Sequence, residues 1–357
     1  MVTYQLDSGE AGEPYDATIR LTGRRVGIRG VPRKGDSFAQ DETVEGIIPG
    51  TGPVSITAWV YGLQPGDWEV DARLMPMARG ARAEQARTSD HPAIQRATWS
   101  WRRWALSAAP AGTIRTRWAL MAPLARQPAV IPGVYTALAV VGFIAALALQ
   151  ATILAREGLS FGAPLAASLI AIGLGLIGAK VWYKLLHPAD PWFQGGGWAV
   201  DGFVVVFPLG LALMLAAWAL PIGRILDATA PGIFLAVAIG RVGCFLTGCC
   251  AGRCTSAAWG IWSSDRRVGA RRIPTQLFES AVGLGLTLVT LPLVLAGGLF
   301  VPGGLFIVAF ATYAALRQVL LRLRAERRRD ARTLPLTAGA AGLVALVVGA
   351  LALIQGT

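Results

Sequence analysis

Apolar and polar positions are arranged in two different ways along this chain. From about residue 131 onward, long apolar runs alternate with short polar connections, at about 131–153, 163–186, 199–220, 231–250, 276–297, 301–321 and 335–354. A helix needs ~20 apolar residues to cross the hydrocarbon core, and irregular backbone cannot face lipid, so each run predicts a membrane-spanning helix. The first 130 residues contain no such run. There, Val54, Ile56, Ala58 and Val60 alternate with other positions, a turn follows at Gln64, Pro65, Gly66 and Asp67, and Trp68, Val70, Ala72 and Leu74 alternate again. This period of two predicts a hairpin, and Thr18 to Ile28 predicts a further strand. The expected fold is a polytopic α-helical membrane protein of about seven spans with a small N-terminal β-rich soluble domain.

Composition agrees with that division. The chain has 357 residues, 54% hydrophobic and only 15% charged, with a mean hydropathy of +0.51, too apolar for a soluble domain of this length. Three segments are expected: residues 1–78 as a β-rich sandwich similar to fibronectin type III modules, 79–130 as an Arg/Trp-rich interfacial linker, and 131–357 as the membrane domain. The linker carries WSWRRW (Trp99, Trp101, Trp104) and RTRW (Arg115 to Trp118), which suit a surface of anionic lipid. No cleavable signal pattern opens the chain. His91 stands alone in a polar loop and reads as a solvated histidine rather than a ligand. The formal charge of +12 does not indicate nucleic acid, because the arginines flank the spans and no zinc-finger, RNP-type or helix-turn-helix pattern accompanies them.

Candidate chemistry concentrates in GRVGCFLTGCCAGRCT, Gly240 to Thr255. Arg241 lies inside an apolar run, where an arginine is unfavourable by several kcal/mol unless it is paired or lines a polar cavity. Glycines at 240, 243, 248 and 252 would let the backbone approach a ligand closely, and guanidinium groups hold phosphate through paired hydrogen bonds. Arg317 falls in the sixth run, four residues after Tyr313 and so on the same helix face. Snorkelling at a helix end is the alternative for Arg317, since Arg322 and Arg324 follow soon after. Together these residues suggest a phosphate pocket at membrane depth. All four cysteines, Cys244, Cys249, Cys250 and Cys254, lie within eleven positions, too crowded for a disulfide framework. As zinc ligands their spacing is poor, because adjacent Cys249 and Cys250 cannot easily share one tetrahedral ion. They read as small buried thiols, and no metal or cofactor is expected.

The same stretch resembles the signature of the prolipoprotein diacylglyceryl transferase family, Gly-Arg-x-Gly-Asn-Phe-x-Asn-Gly-Glu-x-x-Gly-x-x-Thr, without a gap. GVYTALAVVGFIAA at 133–146 is similar to the family's first span, IGAKVWYKL at 177–185 to its Gly-Ala-Arg segment, and RIPTQLFES at 272–280 to its Arg-x-Pro-Ser/Thr-Gln-Leu-Tyr-Glu block. Tyr313 and Arg317 match a late Tyr-x-x-x-Arg. Five stretches in one order are specific where any one alone would be weak. The resemblance covers roughly 131–354.

The resemblance implies transfer of the diacylglyceryl group of phosphatidylglycerol to the thiol of a lipobox cysteine in a prolipoprotein, at the bacterial plasma membrane. On that reading Arg241 and Arg317 stabilise the leaving phosphate, and Tyr313 and Asp201 join them as catalytic residues. Tyr135, Gly240, Gly243, Cys244, Gly252, Gln276 and Glu279 bind substrate. The family's histidine in Gly-Gly-x-x-x-His-Gly-Gly corresponds to Asp201 in GGWAVDGF, while Cys244, Thr247 and Cys249 replace the signature's two Asn and its Glu. Asp201 would then be the base for the thiol, with His187 as the alternative and helix capping as the other use of either residue. Two other functions stay open: a transferase using the same donor with a different acceptor, and a non-catalytic lipid-binding protein.

Charge and resemblance disagree about sidedness. Six spans separate the N-terminal segment from the Arg-rich stretch 322–332, so both are expected on one side, together with the 251–275 connection. The positive-inside rule makes that side cytoplasmic, whereas an exported acceptor requires the opposite.

Overall fold

The computed structural model of the chain describes residues 1–75, 94–110, 112–116, 127–188, 192, 197–298, 301–325 and separate positions from 339 onward. His91, Trp118, most of the expected seventh span and the Arg-rich stretch beyond residue 325 lie outside the described residues. The chain divides into two compact units. One comprises residues 1–135, 243–276 and 323–326, and the other 136–242, 277–322 and 327–357.

The first unit holds β1 (Val2–Asp7), β2 (Tyr15–Arg25), β3 (Ser37–Ile47), β4 (Pro53–Ala58), β5 (Gly66–Met75), β6 (Gln95–Ser100), β7 (Ala105–Ala108), β8 (Ile114–Thr116), β9 (Ile261–Ser264) and β10 (Val268–Arg272). One sheet runs β7-β6-β1-β4-β10-β9 and the other β3-β2-β5-β8. Their apolar faces share a core that includes Tyr4, Leu6, Ile19, Leu21, Val54 and Ile56. On β2 the buried positions Ala17, Ile19 and Leu21 alternate with exposed or half-buried ones, as a strand with one covered face must.

The structure corrects the expected hairpin. β4 and β5 are both strands, but they belong to different sheets: β4 pairs with β1 (Tyr4↔Ile56) and β10, whereas β5 pairs with β2 (Leu21↔Ala72) and β8. Alternation reports which side of a strand is buried and carries no information about its neighbour. Here both strands turn apolar side chains into one core from opposite sheets. Within the expected 79–130 linker, β6, β7 and β8 add strands to both sheets. Its tryptophans find protein partners far along the sequence: Trp99 stacks on Trp262 with ring centroids 4.9 Å apart, and the Trp104 Nε1–H donates to the Trp262 carbonyl at 2.9 Å.

Six described helices are long and apolar enough to cross a bilayer: α1 (Val134–Arg156), α2 (Gly162–Leu186), α3 (Val200–Ala217), α4 (Ile222–Thr247), α5 (Thr275–Leu295) and α6 (Gly304–Leu321). The chain is a polytopic helical membrane protein. α4 begins nine positions before the apolar run that predicted it, since Arg224 and Asp227 hide its first turns from a hydropathy window. Asp227 is accommodated because its carboxylate caps α6, accepting from the Gly303 N–H at 2.8 Å and the Phe306 N–H at 2.9 Å. α2 and α3 meet backbone to backbone, and a Cβ on Gly202 would lie 2.3 Å from the Gly178 carbonyl oxygen. Buried polar groups are joined across helices, with Gln150 of α1 donating to Thr229 of α4 at 2.7 Å and accepting from Ser168 of α2 at 3.1 Å.

Asp227→Ala removes the acceptor for two N–H groups at a buried helix start. The expected loss is about 1–2 kcal/mol, read as a lower thermal unfolding midpoint of the purified protein in detergent.

Candidate functional site

Four charged side chains in apolar helices converge in the membrane unit. Asp201 stands in the first turn of α3 and Glu279 at the start of the second turn of α5, while Arg241 and Arg317 lie within about two turns of the ends of α4 and α6. Each sign therefore occupies the helix end whose dipole it complements. Helices alternate in direction across a bilayer, so these four ends fall on one side of it.

Glu279 is the hub. Its Oε2 lies 3.0 Å from Arg241 Nε, and its Oε1 accepts from Arg317 Nη1 at 2.8 Å. Arg241 is 6% exposed, Arg317 4% and Glu279 1%, so solvent offers no counter-charge and the pairing itself must offset desolvation. Asp201, also buried, approaches Arg317 Nη2 with its Oδ1 at 3.8 Å, an electrostatic contact too long for a hydrogen bond. Among the described residues nothing accepts from Arg317 Nε. Two cations and two carboxylates thus form a formally neutral cluster in which one guanidinium N–H is uncommitted. Tyr313, one turn from Arg317, is buried with its ring 5.9 Å from Phe234. Gly240 borders open space, since an added Cβ would meet nothing within 4 Å.

The remaining signature residues belong to the other unit, where local chain geometry explains their placement. α4 ends in a Schellman motif: the Gly248 N–H donates to Phe245 O at 3.3 Å, the Cys249 N–H donates to Cys244 O at 3.1 Å, and Gly248 takes φ +69°. This motif folds Cys249 back over Cys244, the pairing in which a helix end usually makes an apolar contact. Cys250 then adopts φ +56°, rare for a residue with a side chain, and turns toward the other two. The sulfurs of Cys244, Cys249 and Cys250 all lie within 4.8 Å of one another. Spacing alone argued against such a gathering, and the cysteine that completes it, Cys250, is left-handed. Cys254 lies outside the group, and none of the four is in a disulfide. Contacts with the Cys244 and Cys250 sulfurs, followed by burial, push the Cys249 thiol above the usual thiol range.

Other residues lock this turn. Gln276 Nε2 donates to Cys249 O at 2.9 Å, and Thr275 Oγ1 donates to Cys250 O at 3.3 Å. The Tyr135 N–H donates to Thr247 Oγ1 at 3.1 Å, and the Tyr135 ring is partly exposed. Gly252 lies close against the protein's own backbone, for a Cβ there would lie 2.0 Å from Ile273 O. Cys244 is buried at the end of α4 next to Gly243. Arg272, which composition groups with the basic surface, is buried, donating to Gly252 O at 3.2 Å and to Asp265 Oδ2 at 2.8 Å. Arg253 reaches Arg324 O, and Arg267 pairs with Glu42, so several arginines of the 251–275 connection have protein partners. The segment before α1, the α4–α5 connection and the residues after α6 are thereby held together, as in the hydrogen bond from the Arg253 N–H to Leu323 O at 2.9 Å. Asp265 and the left-handed Cys250 had no signal in the sequence beyond proximity to the signature.

A family model described as prolipoprotein diacylglyceryl transferase matches residues 130–355, more than half of the chain. A phosphatidylglycerol–prolipoprotein diacylglyceryl transferase of Dehalococcoides mccartyi is 33% identical over 173 residues, covering 44% of this chain and 64% of that protein. A Clostridium perfringens protein, phosphatidylglycerol–prolipoprotein diacylglyceryl transferase 2, is 29% identical over 136 residues, covering 35% of this chain and 53% of its own. A protein of Leifsonia xyli with the same transferase name is 28% identical over 165 residues, covering 42% and 48%. The chain spans less than two thirds of the length of each of these relatives.

Glu279→Gln would leave two buried guanidinium groups around a neutral amide, and loss of such a hub destabilises by about 3–5 kcal/mol. Unfolding midpoints should show Glu279→Gln combined with Arg241→Gln falling less than the two single effects added together. Strict additivity would mean that the two residues do not interact.

Proposed function

The chain belongs to the prolipoprotein diacylglyceryl transferase family, and on that footing we propose that it moves the diacylglyceryl group of phosphatidylglycerol to the cysteine thiol of a lipobox peptide at a bacterial plasma membrane. The observation that carries this reading is the pair of buried guanidinium groups sharing Glu279, with Arg317 Nε still uncommitted. A lipid phosphate brings the acceptor that this N–H lacks, and it arrives where neither arginine can be neutralised by water.

In the proposed step the lipobox thiol gives its proton to the Asp201 carboxylate. The sulfur attacks the glyceryl carbon bonded to the phosphate ester oxygen, the S–C bond forms as that C–O bond breaks, and the electron pair leaves with glycerol phosphate. The leaving group gains one negative charge, which Arg241 and Arg317 offset as it develops. Asp201 suits the role of base because it stands at the position of the family's histidine and lies beside Arg317, whereas the oxygens of Glu279 pair with the two arginines. Tyr313 and Gly240 would border the lipid's polar part.

A second reading keeps the donor and changes the acceptor. It is favoured by the substitutions at the family's polar signature positions, where this chain has Asp201, Cys244, Thr247 and Cys249.

Purified full-length protein supplied with glyceryl-labelled phosphatidylglycerol and a lipobox peptide tests both readings. Labelled thioether is expected on the peptide. Release of glycerol phosphate with an unmodified peptide would reject the prolipoprotein acceptor in favour of the second reading. Arg241→Lys, which lacks the planar fork, should lower kcat by about 10²–10³, and Asp201→Asn by at least about 10². An unchanged rate in Asp201→Asn would remove that residue as the base.

An exported acceptor also fixes sidedness. Ser37→Cys, in a background without the native cysteines, should react with an impermeant thiol reagent in intact cells. Protection would place that surface in the cytoplasm and exclude the prolipoprotein acceptor.

A further inference from the structure

The three gathered sulfurs at the end of α4 have no part in the transfer step described above. Cys244, Cys249 and Cys250 come from two different local geometries, a Schellman turn that folds Cys249 over Cys244 and a left-handed residue that swings Cys250 in beside them. A side chain in the left-handed region is unfavourable by about 1–2 kcal/mol. Here it places a third sulfur within 4.8 Å of the other two. Metal–sulfur bonds of ~2.3 Å in a trigonal plane set sulfurs about 4 Å apart, so the triangle already approximates the dimensions of a three-coordinate site.

We propose that Cys244, Cys249 and Cys250 form a three-sulfur site for a soft, thiophilic cation of the monovalent copper class. Thiolate ligands select soft ions. Three ligands match the trigonal preference of such an ion better than the four-ligand tetrahedron of structural zinc, and Cys254 lies outside the group.

The surroundings suit this chemistry. A cavity of about 380 Å³ is lined by Cys249 and Cys250 together with Asp265, Arg266 and Arg267, so it reaches two of the three cysteines. Binding displaces the three thiol protons to solvent, and a monovalent ion on three thiolates carries a net charge of minus two. Arg266 offsets part of that charge and is held in place by its Nε–H, which donates to Thr247 O at 2.9 Å. The ligand geometry is fixed from behind by Gln276 and Thr275, which donate to the Cys249 and Cys250 carbonyls. A site supported in this way does not depend on the ion to assemble it.

The test uses the full-length protein, reduced and purified in detergent, titrated against cuprous ion held by bicinchoninate. One equivalent of cuprous ion should leave the chelator per chain, with an ultraviolet thiolate-to-metal charge-transfer band. Cys244→Ser and Cys249→Ser should each abolish the band, and Cys254→Ser should retain it. Cys250→Gly provides the control for folding, because glycine is comfortable at the left-handed φ while the sulfur is lost, and it too should abolish the band at an unfolding midpoint no lower than that of the unsubstituted protein. Failure of the protein to withdraw cuprous ion overturns the proposal, as does stoichiometric binding that survives Cys250→Gly or depends on Cys254. Displacement of bound cuprous ion by excess zinc ion overturns the assignment to the monovalent class.

Discussion

The membrane unit depends on one shared carboxylate. Glu279 receives a guanidinium on each oxygen, from Arg241 and from Arg317, and all three side chains are buried. An ion left alone there would be unfavourable by several kcal/mol, so the helices that carry the three residues are constrained to a narrow set of mutual positions. The pairing fixes α5 relative to both α4 and α6. Helix dipoles add to the arrangement, since acids occupy helix starts and arginines helix ends. The same constraint that holds the helices also brings two guanidinium groups onto one carboxylate, with Arg317 Nε lacking an acceptor among the described residues.

Much of this was legible in the sequence, and for physical reasons. The runs that became α1, α2, α3, α5 and α6 were found because hydrocarbon thickness dictates length and apolarity with little dependence on context. Arg241 and Arg317 stood out because an arginine in such a run needs a partner. The start of α4 was missed because Asp227 is satisfied by the distant start of α6, an exchange that no local window can register.

In the other unit, local reasoning succeeded for strands and failed for their partners. β2, β4 and β5 were recognised from period two, but the assignment of β4 and β5 to opposite sheets depends on the shared core. The protein partner of the β6–β7 tryptophans has no local signal, because Trp262 lies more than 150 positions further along. Cys250 is the sharpest case. Adjacent cysteines in ordinary strand or helix geometry point apart, whereas Cys250 is left-handed and its sulfur lies beside that of Cys249.

One strand pairing has consequences for how the molecule is made. β10 lies against β4, with Val268 opposite Ile56 and Gly269 opposite Ser55, so the outer edge of β4 has its partner in a segment that follows α4 in the chain. During synthesis the ribosome must deliver four apolar helices before that edge can be covered, and at ~5–20 residues per second this leaves it open for at least about ten seconds. An uncovered edge is a template for unwanted pairing. The maturation of the sheet is therefore timed by membrane insertion, and a chain stalled before its fourth span would display an incomplete sheet to chaperones and proteases.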